Sequence, residues 1–335
     1  MNSRLTVAQI GVGYWGPNLM RNLVSNENCC VKLAVDYSAE RRNFVQSLYP
    51  DIEVSDDPEV VFSDEEIKTV IIATPVQSHF DLSIQALEAN KHILVEKPMA
   101  TNVQEVEEIG KLARKNNLIA MVGHTFIYNP AVRYVKGIID SGELGDIRYI
   151  YSQRVNLGRI RSDVDALWNL APHDISIVQY WLNEPMPVSI KRTGMAYVQE
   201  GIEDVSFLNI HYPKNIMVNI HVSWLDPHKV RRMTVVGSKK MVVYDDLAVN
   251  KVTIYDKGID RMAILGENMD FDSPDPINFN HRSGEVKIPE IIWKEPLQCE
   301  VEHFVNCIIN NTPCQTGIDH ARQVVSILEA GNQVE

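Results

Sequence analysis

The 335-residue chain is 45% hydrophobic and 23% charged, a globular composition that excludes disordered and collagen-like proteins. Its 32 basic and 44 acidic residues give a net charge of −12. This balance argues against a general nucleic-acid or anionic-membrane surface, because such surfaces need clustered Lys and Arg.

The N-terminal segment, the apolar runs and the cysteines indicate the cellular compartment. No stretch supplies the roughly 20 apolar residues of a transmembrane helix. The segment Met1–Ile10 lacks the signal-peptide pattern, because Arg4 is followed by only a short apolar run before glycines. The five cysteines form no CxxC pair. These features predict a reduced, cytoplasmic protein with buried or incidental thiols.

The first third of the chain alternates short apolar runs with amphipathic stretches. Each run is rich in Val or Ile, as expected for a parallel sheet that is buried on both faces. The predicted strands are Leu5–Ile10, Val31–Val35, Val70–Ala73, Ile93–Val95 and Ile119–Val122. The predicted helices are Pro17–Ser25, Ala39–Leu48, Ser78–Ala89 and Val103–Lys115. This alternation predicts right-handed βαβ units in a doubly wound sheet.

The pattern changes after Gly123. A helix predicted over Pro130–Ser141 is followed by closely spaced β-like runs with turn signals, typical of a largely antiparallel sheet. These runs are Ile147–Val155, Val188–Thr193, Val205–His211, Ile216–Ser223, Met233–Val236 and Met241–Tyr244. Helices are also predicted over Ala171–Leu182, 297–311 and 319–330, and a long loop over 266–290.

The predicted fold class combines α/β with α+β. A doubly wound Rossmann domain is expected over residues 1–123, and an open, largely antiparallel sheet domain for substrate binding and oligomerisation over 124–335. The exposed face of an open sheet needs a cover, which predicts a homodimer or homotetramer built sheet to sheet.

A glycine-rich turn follows the first predicted strand and opens the first helix. In the run GVGYWG, Gly11 makes the tight turn, Gly13 lets a pyrophosphate approach, and Gly16 lets helix and strand pack closely. The helix N-terminus offers N–H groups to the phosphates. The predicted cofactor contacts in this run are Gly11, Gly13, Tyr14, Trp15 and Gly16.

Asp36 ends the second predicted strand, twenty residues after Gly16. An acid there accepts hydrogen bonds from the adenosine ribose and repels a 2′-phosphate, so NAD is favoured over NADP. Arg41 and Arg42 follow and could approach an NADP phosphate, although positions beside the adenine or on the helix surface are favoured.

Two further segments end predicted strands, at the edge where doubly wound sheets bind ligands. The run 73–79, ATPVQSH, contains Thr74, Pro75 and His79, and its Ser78 could cap the next helix. His79 could instead bond a backbone group. In the second segment, Glu96-Lys97-Pro98, a lysine fixed by a following proline could hydrogen-bond a substrate oxygen. Thr74, Pro75, His79, Glu96 and Lys97 complete the predicted cofactor contacts.

The ordered motifs GVGYWG, ATPVQSH, VEKPMA, GHTFIYNPAV, GELGDI and NLAPHDI resemble the glucose–fructose oxidoreductase / inositol dehydrogenase / MocA (GFO/IDH/MocA) family across essentially the whole chain. The resemblance implies a Rossmann domain followed by an open β-sheet domain. It also implies NAD(P)-dependent oxidation or reduction of a sugar, cyclitol or related hydroxyl compound. It matches the family's lysine to Lys97 and its catalytic histidine to His173.

Two positions around His173 depart from the family pattern. Asn169 stands where the family often has Asp, and helical i, i+4 spacing places it on the face of His173. Ser176 stands where an acid is common, while Asp174 directly follows the histidine. Since Asn cannot stabilise an imidazolium as a carboxylate does, Lys97 and His173 are the safer catalytic pair.

The expected chemistry is hydride transfer between a carbinol carbon and nicotinamide, which leaves a hydroxyl proton to be removed. His173 is the natural base because its ordinary pKa lies near neutrality. Lys97 would polarise the oxygen and stabilise developing negative charge. The alternative is that Lys97 itself transfers the proton, if the nicotinamide cation depresses its pKa.

Candidate substrate contacts lie on both sides of the predicted domain boundary. Asn169 and His173 are predicted substrate contacts. Tyr128 and Asn129 could also contact sugar hydroxyls, or they could form a structural hinge. The run 154–161 carries Arg154, Arg159 and Arg161 just before the catalytic helix. Arg forks bind carboxylates and phosphates, so Arg159 and Arg161 suggest an anionic substrate, with a solvated loop or subunit contact as the alternative.

The arginine segment and WNLAPHDI resemble family members acting on nucleotide-linked sugars, such as UDP-N-acetylglucosaminuronate 3-dehydrogenases. Free sugars, inositols and a dTDP-keto sugar remain open. So does a second class of function, a cofactor-bound sensor or regulator without turnover. The retention of Lys97 and His173 favours the enzyme, and Asn169 keeps the alternative open.

One possible metal array needs a separate argument. Cys299, His303 and Cys307 follow i, i+4, i+8 spacing on a predicted helix. The ends of such an array span about 12 Å, too far for one tetrahedral ion. A packed apolar face is the better interpretation, and the sequence predicts no metal site.

Overall fold

The computed structural model describes residues 4–263 and 277–332, which form two compact units. The first unit contains the described parts of Met1–Pro130, Leu167–Glu184 and Trp293–Glu335. The second contains Ala131–Ala166 and the described part of Pro185–Ile292. The predicted division at residue 123 treats the domains as contiguous segments, whereas these units interleave along the chain.

A parallel sheet forms the centre of the first unit, with strand order β3-β2-β1-β4-β5-β6, the order of a Rossmann fold. Its strands are β1 (Leu5–Ile10), β2 (Cys29–Val35), β3 (Glu53–Ser55), β4 (Thr69–Ile72), β5 (His92–Glu96) and β6 (Ala120–Gly123). The connecting helices are α1 (Gly16–Val24), α2 (Ala39–Leu48), α3 (Glu59–Ser63), α4 (His79–Glu88) and α5 (Val103–Lys115). The predicted α/β class is confirmed.

Alternate residues of the central strands pack on opposite faces of this sheet. Val70 and Ile72 of β4 belong to one buried cluster and Ile71 to the other. Three helices from the rest of the chain join the unit: nearly all of α7 (Ala166–Leu182), and α8 (Pro296–Asn310) and α9 (Ile318–Asn332). Val301 of α8 packs with Ile71, and Val325 of α9 with Val70. The two helices therefore cover opposite faces of the sheet.

The second unit carries a sheet with strand order β14-β13-β12-β11-β7-β10-β9-β8. The pair β7–β10 is parallel, and the other described pairs are antiparallel, as predicted. Helix α6 (Pro130–Asp140) precedes the strands β7 (Ile147–Val155), β8 (Ser189–Met195), β9 (Val205–Tyr212), β10 (Ile216–Ser223), β11 (Val230–Gly237), β12 (Met241–Asp245), β13 (Val252–Ala263) and β14 (Ile277–Lys287).

Two predicted elements differ from the structure. The predicted loop 266–290 is wrong over 277–287, where β14 pairs with β13; its residues 266–276 lie outside the described ranges. The helix predicted from Ala171 begins at Ala166 and continues through Pro172, which donates no backbone hydrogen bond but is tolerated. Within the described ranges, no helix combines the length and apolarity needed to cross a membrane.

Candidate active site

A glycine turn joins β1 to α1. Gly11 has a φ of +95°, and a Cβ there would lie 2.5 Å from the Ala73 carbonyl oxygen, so both its dihedral and its surroundings require glycine. A Cβ on Gly16 would lie 2.6 Å from the Gly11 carbonyl oxygen. A Cβ on Gly13 would meet nothing within 4 Å. The protein's own packing therefore requires Gly11 and Gly16, whereas the space beside Gly13 suits a pyrophosphate.

The side chain of Gln9 holds this turn, and the sequence interpretation missed it. Gln9 is fully buried on β1, and its Nε2 donates to the carbonyl oxygens of Gly11 at 2.8 Å and Gly16 at 2.9 Å. One amide thus joins the two ends of the glycine loop. A polar residue in the otherwise apolar run LTVAQI was the available signal.

Asp36 is anchored beside the same turn. Its Oδ2 accepts a hydrogen bond from the Val12 N–H at 2.7 Å, and its Oδ1 accepts one from the Ser38 N–H at 2.9 Å. The carboxylate keeps further acceptor capacity for ribose hydroxyls. Arg42 donates to the Asp36 carbonyl oxygen at 2.8 Å and lies 3.4 Å from a carboxylate oxygen of Asp56. Its guanidinium therefore already has an acidic partner.

The segment after β4 is fixed by a buried histidine. The two ring nitrogens of His79 lie 2.9 Å from the Thr74 carbonyl oxygen and 2.8 Å from the Pro98 carbonyl oxygen, and burial lowers the pKa of this imidazole. The ring therefore lies between two backbone carbonyl oxygens and its N–H donates to one of them, so His79 positions two loops of the sheet edge. Ser78 precedes α4 at the N-cap position but makes no side-chain capping bond; its hydroxyl lies 2.7 Å from the Thr74 hydroxyl and 2.9 Å from the Pro75 carbonyl oxygen.

Glu96 lies where the glycine turn meets the end of β5. Burial raises the pKa of its carboxyl group to about 7, while the Lys97 charge and the Trp15 indole N–H act in the opposite direction. Trp15 is 40% exposed and Tyr14 is 88% exposed. Tyr14 and Trp15 thus present aromatic surface beside the glycine turn, and Trp15 also contacts Glu96.

A second buried carboxyl group lies close to Glu96. Glu300 of α8 is completely buried, and its pKa is raised well above the usual range by burial and by the Glu96 charge. The Thr125 hydroxyl donates to Glu300 Oε2 at 2.8 Å. The strand ends β5 and β6 therefore adjoin two acids that burial drives toward the neutral form.

Lys97 contacts the helix that carries His173. Its Nζ donates to the Asn169 carbonyl oxygen on α7 at 2.9 Å. Asn169 and His173 are four residues apart on α7 and share one face. Lys97 therefore contacts the backbone of α7 one helical turn before His173.

Aromatic packing orients His173. Its ring meets Phe126 edge to face, with centroids 4.9 Å apart and an interplanar angle of 69°. The Ser176 hydroxyl donates to the His173 carbonyl oxygen at 2.8 Å, so this serine supports the helix backbone. The neighbouring Asp174 is almost fully buried.

The predicted substrate role of Tyr128 is wrong. Tyr128 is fully buried, and its hydroxyl shares a hydrogen bond of 2.9 Å with the Thr316 hydroxyl, which donates to the Val122 carbonyl oxygen at 2.8 Å. The side chain thus belongs to the core. Asn129 is also buried, with 1% exposed.

The arginine run belongs to the second unit. Arg154 lies on β7 and is 5% exposed. Arg161 forms a two-pronged ion pair with Asp163, with Nε–Oδ1 at 2.8 Å and Nη2–Oδ2 at 2.5 Å. The hydrogen bond from Arg161, followed by the charges of Arg161 and Arg159, lowers the pKa of Asp163. An anion binding to Arg161 would therefore compete with Asp163.

The cysteine–histidine set differs from the predicted array. His303 and Cys307 of α8 group with Cys314, and their ligand atoms lie within 4.8 Å of one another. His303 Nε2 accepts a hydrogen bond from the Gln315 N–H at 3.0 Å. The chain folds back after α8 and brings a sulfur from the next loop to this histidine, which helical spacing alone does not reveal.

Comparison with protein families matches two consecutive segments. Residues 5–124 match the oxidoreductase family with an NAD-binding Rossmann fold, GFO/IDH/MocA. Residues 132–243 match a GFO/IDH/MocA C-terminal domain. The first match contains the glycine turn, Asp36 and Lys97, and the second contains the arginine run and His173.

Similar proteins act on several sugars and cyclitols. The chain is 26% identical to the scyllo-inositol 2-dehydrogenase (NAD(+)) of Bacillus subtilis, over 95% of this chain and 91% of that protein. It is 26% identical to the 2,7-anhydro-N-acetylneuraminate hydratase of Mediterraneibacter gnavus, over 62% of this chain, but spans only 58% of the hydratase.

A third relative has a solved structure. The chain is 24% identical to the UDP-N-acetylglucosamine 3-dehydrogenase of Acidithiobacillus ferrooxidans, over 81% of this chain and 80% of that protein. Superposition on its structure gives a TM-score of 0.80 at 21% identity, covering 99% of this chain and 98% of that chain. At this identity, the superposition supports the shared fold alone.

Proposed function

The chain belongs to the GFO/IDH/MocA family of oxidoreductases with an NAD-binding Rossmann fold, and from that premise we propose that it is an NAD-dependent dehydrogenase of a nucleotide-linked sugar or sugar acid. Lys97 and His173 are the proposed catalytic residues. The dehydrogenase relatives acting on inositol and on a UDP-linked sugar support a CH–OH substrate.

The contact between Lys97 and α7 carries this proposal. The hydrogen bond from Lys97 Nζ to the Asn169 carbonyl oxygen, at 2.9 Å, holds the ammonium against the helix face of His173. One helical turn separates Asn169 from His173. A hydroxyl group placed beside this face could therefore meet a cationic donor and an imidazole together.

The residues at the glycine turn fit an NAD molecule. The open space at Gly13 suits the pyrophosphate, the anchored carboxylate of Asp36 suits the ribose hydroxyls, and Arg42 is engaged with Asp56. NAD held by these residues would supply the hydride-accepting chemistry. His173 takes the hydroxyl proton, and Lys97 stabilises the negative charge that develops on the oxygen.

Arg159 and Arg161 are the proposed contacts for an acidic part of the substrate. Local basic density in a chain of net charge −12 supports this role. Because Arg161 is paired with Asp163, an anion gains less there than at an unpaired guanidinium. Arg159→Ala should therefore raise the substrate KM more than Arg161→Ala. Wild-type KM in both variants would contradict the proposed role.

The proposed sheet-to-sheet homo-oligomer is supported by one face of the second unit's sheet. Tyr149, Phe207 and Met217 lie on that face and are 39–46% exposed. Light scattering should give a dimer or tetramer, and Phe207→Lys should reduce its mass. A monomeric wild type would contradict this proposal.

The decisive experiment measures NADH formation with UDP-linked sugars, sugar acids, free hexoses and inositols. Turnover should be highest with a nucleotide-linked sugar, and Lys97→Ala and His173→Ala should each lower kcat by about 10²-fold or more. Both variants should bind NAD with near-normal affinity. An active His173→Ala beside an inactive Lys97→Ala would assign the proton to lysine. No turnover with any substrate, together with intact NAD and sugar binding, would favour a sensor.

Asn169→Asp is the companion variant. The substitution restores the carboxylate that the family often places there, without changing side-chain length. If activity rises, Asn169 occupies a weakened carboxylate position. If activity is lost, the asparagine side chain makes a hydrogen bond that the reaction requires.

A further inference from the structure

His124 directly follows β6, and Lys97 directly follows the adjacent strand β5. Glu96 and Gly123 are register partners on the parallel strands β5 and β6, so the residues that follow them leave adjacent strand ends. Those residues are Lys97 and His124. The imidazole is 99% buried, since only 1% of the residue is exposed.

Neither ring nitrogen of His124 has a hydrogen-bond partner among the described residues. An imidazole without partners in a protein interior is costly, because each buried polar atom loses its contact with water. Burial, followed by the charges of His320 and Lys97, lowers the pKa of His124 well below the usual range. The neutral ring then carries one N–H donor and one acceptor nitrogen.

The ring of His124 packs against a second buried histidine. His320 of α9 lies edge to face with it, at a centroid separation of 5.1 Å and an interplanar angle of 75°. His320 Nε2 also has no hydrogen-bond partner among the described residues. Two neighbouring imidazoles therefore contribute three buried nitrogens that no described residue hydrogen-bonds.

The other nitrogen of His320 leads toward the surface. His320 Nδ1 lies 2.7 Å from Glu184 Oε1, and the Glu184 side chain is 35% exposed. Both residues line a cavity of about 390 Å³ in the first unit, which Arg114 and Asp319 also border. The path from Lys97 through the two histidines thus ends at a carboxylate that lines this cavity.

We propose that His124, His320 and Glu184 form a proton-exit relay from Lys97 to this cavity. The inference rests on the proposed dehydrogenase function and on its alternative proton route, in which a neutral Lys97, in place of His173, takes the hydroxyl proton of the CH–OH group. The proton passes from Lys97 to His124, then to His320 and Glu184, and leaves with solvent. The first three transfers each break an N–H bond and form an N–H or O–H bond, the last breaks the Glu184 O–H bond and forms one with water, and no oxidation state changes.

The geometry suits proton transfer better than a purely structural role. His79 shows a structural arrangement, since its ring lies between the Thr74 and Pro98 carbonyl oxygens at 2.9 Å and 2.8 Å and its N–H donates to one of them. His124 and His320 instead have three nitrogens without a partner among the described residues, on rings whose centroids lie 5.1 Å apart. A neutral imidazole can accept a proton on one nitrogen and release one from the other, and a bridging water can join neighbouring rings.

The relay predicts separate effects on turnover and stability. His124→Leu removes two unsatisfied nitrogens, so its Tm should equal or exceed that of the wild type, while kcat falls by about tenfold or more. The NAD affinity should be unchanged, since His124 does not belong to the glycine turn. A variant with lowered Tm and unchanged kcat would show a structural histidine and overturn the relay.

Chemical rescue provides the closing experiment. His320→Ala opens space beside the cavity, so added imidazole should restore NADH formation with the sugar that the wild type oxidises. The restored rate should increase with the basicity of substituted imidazoles. Pyrazole, a poor base of the same shape, should not rescue; equal rescue by pyrazole would show cavity filling and overturn the relay.

A matched control is His92→Gln on β5. His92 is a part-buried histidine of the same sheet whose Nδ1 accepts the Ile119 N–H at 2.9 Å, away from the relay. Its turnover should be unchanged, with no response to imidazole. If His124→Leu and His320→Ala both keep wild-type turnover, the relay is contradicted while the proposed function stands. If the wild type oxidises no sugar, the proposed function fails and the relay fails with it.

Discussion

The glycine turn and the His124–His320 pair lie in the same unit and differ in how their side chains bond to the backbone. At the turn, Gln9 Nε2 and the Asp36 carboxylate each make two hydrogen bonds to backbone groups and fix the loop, while Gln9 Oε1 has no partner among the described residues. At the histidine pair, three ring nitrogens have no partner among the described residues. A site that binds a fixed ligand is preorganised, whereas groups that pass protons keep donors and acceptors available.

The largest expected effect comes from forcing a side chain into the turn. Gly11→Ala should destabilise the first unit by more than about 3 kcal/mol, because a positive φ costs about 1–3 kcal/mol and its Cβ would meet the Ala73 carbonyl oxygen at 2.5 Å. Thermal unfolding measures the loss. Gly13→Ala is the matched control: its Tm should stay near that of the wild type while NAD affinity falls. Equal Tm losses in the two variants would contradict this account.

The second largest expected loss of stability comes from removing the Gln9 side chain that bonds to the turn. Gln9→Ala leaves the carbonyl oxygens of Gly11 and Gly16 without their side-chain donor, at an expected cost of about 1–3 kcal/mol. Calorimetry should show the lower Tm, and titration should show weaker NAD binding. Gln9→Glu is the sharper control: it keeps the volume but removes the N–H donors, so it should be at least as damaging. A stable Gln9→Glu variant would refute the role of the amide.

The glycine turn could be predicted from the sequence, whereas the histidine pair could not. The run GVGYWG, Asp36 and Glu96-Lys97 are local signals, because one strand end and its following turn determine their positions. His124 and His320 are distant in sequence and meet only because α9 packs beside β6. Tyr128 was misassigned for the same reason, since its partner Thr316 comes from the segment before α9.

The fold shows a similar division. Five strands of the first sheet are short Val- and Ile-rich runs that were predicted to within two residues, whereas the three-residue strand β3 (Glu53–Ser55) was not predicted. Strand β14 (Ile277–Lys287) was missed because its sequence, INFNHRSGEVK, is polar and contains glycine, and pairing with β13 determines its conformation. Helix α7 was predicted too short because Pro172 suggested a boundary that the surrounding structure overrides.

Cofactor selectivity is a smaller effect at the same turn. Asp36→Asn keeps one acceptor oxygen for the backbone donors but removes the charge that opposes a 2′-phosphate. The preference for NAD over NADP should narrow by about tenfold, since hydrogen bonds to charged groups contribute about 1.5–3 kcal/mol. Fluorescence titration with both reduced cofactors measures the ratio. Equal or tighter NADPH binding by the wild type would reject NAD selectivity itself.

Glu96 connects the two regions, because it contacts Trp15 of the turn and precedes Lys97 beside His124. Burial raises the pKa of its carboxyl group from 4.5 to about 7, so the folded state holds a proton that the unfolded state releases in this interval. The contribution of this bound proton to the free energy of unfolding is fully present below pH 4.5 and is lost as the pH rises through 7. Glu96→Gln removes this loss, since its amide is neutral throughout.

The Tm of Glu96→Gln minus that of the wild type should therefore be larger at pH 8 than at pH 5, by about 2 °C or more. Glu300 is present in both proteins, and its own raised pKa contributes to both curves. Glu88→Gln, an exposed site on α4, should give the same difference at both pH values. If the Tm difference is larger at pH 5 than at pH 8, the folded protein stabilises the charged form of Glu96. Glu96 would then form an ion pair with Lys97 instead of holding a proton.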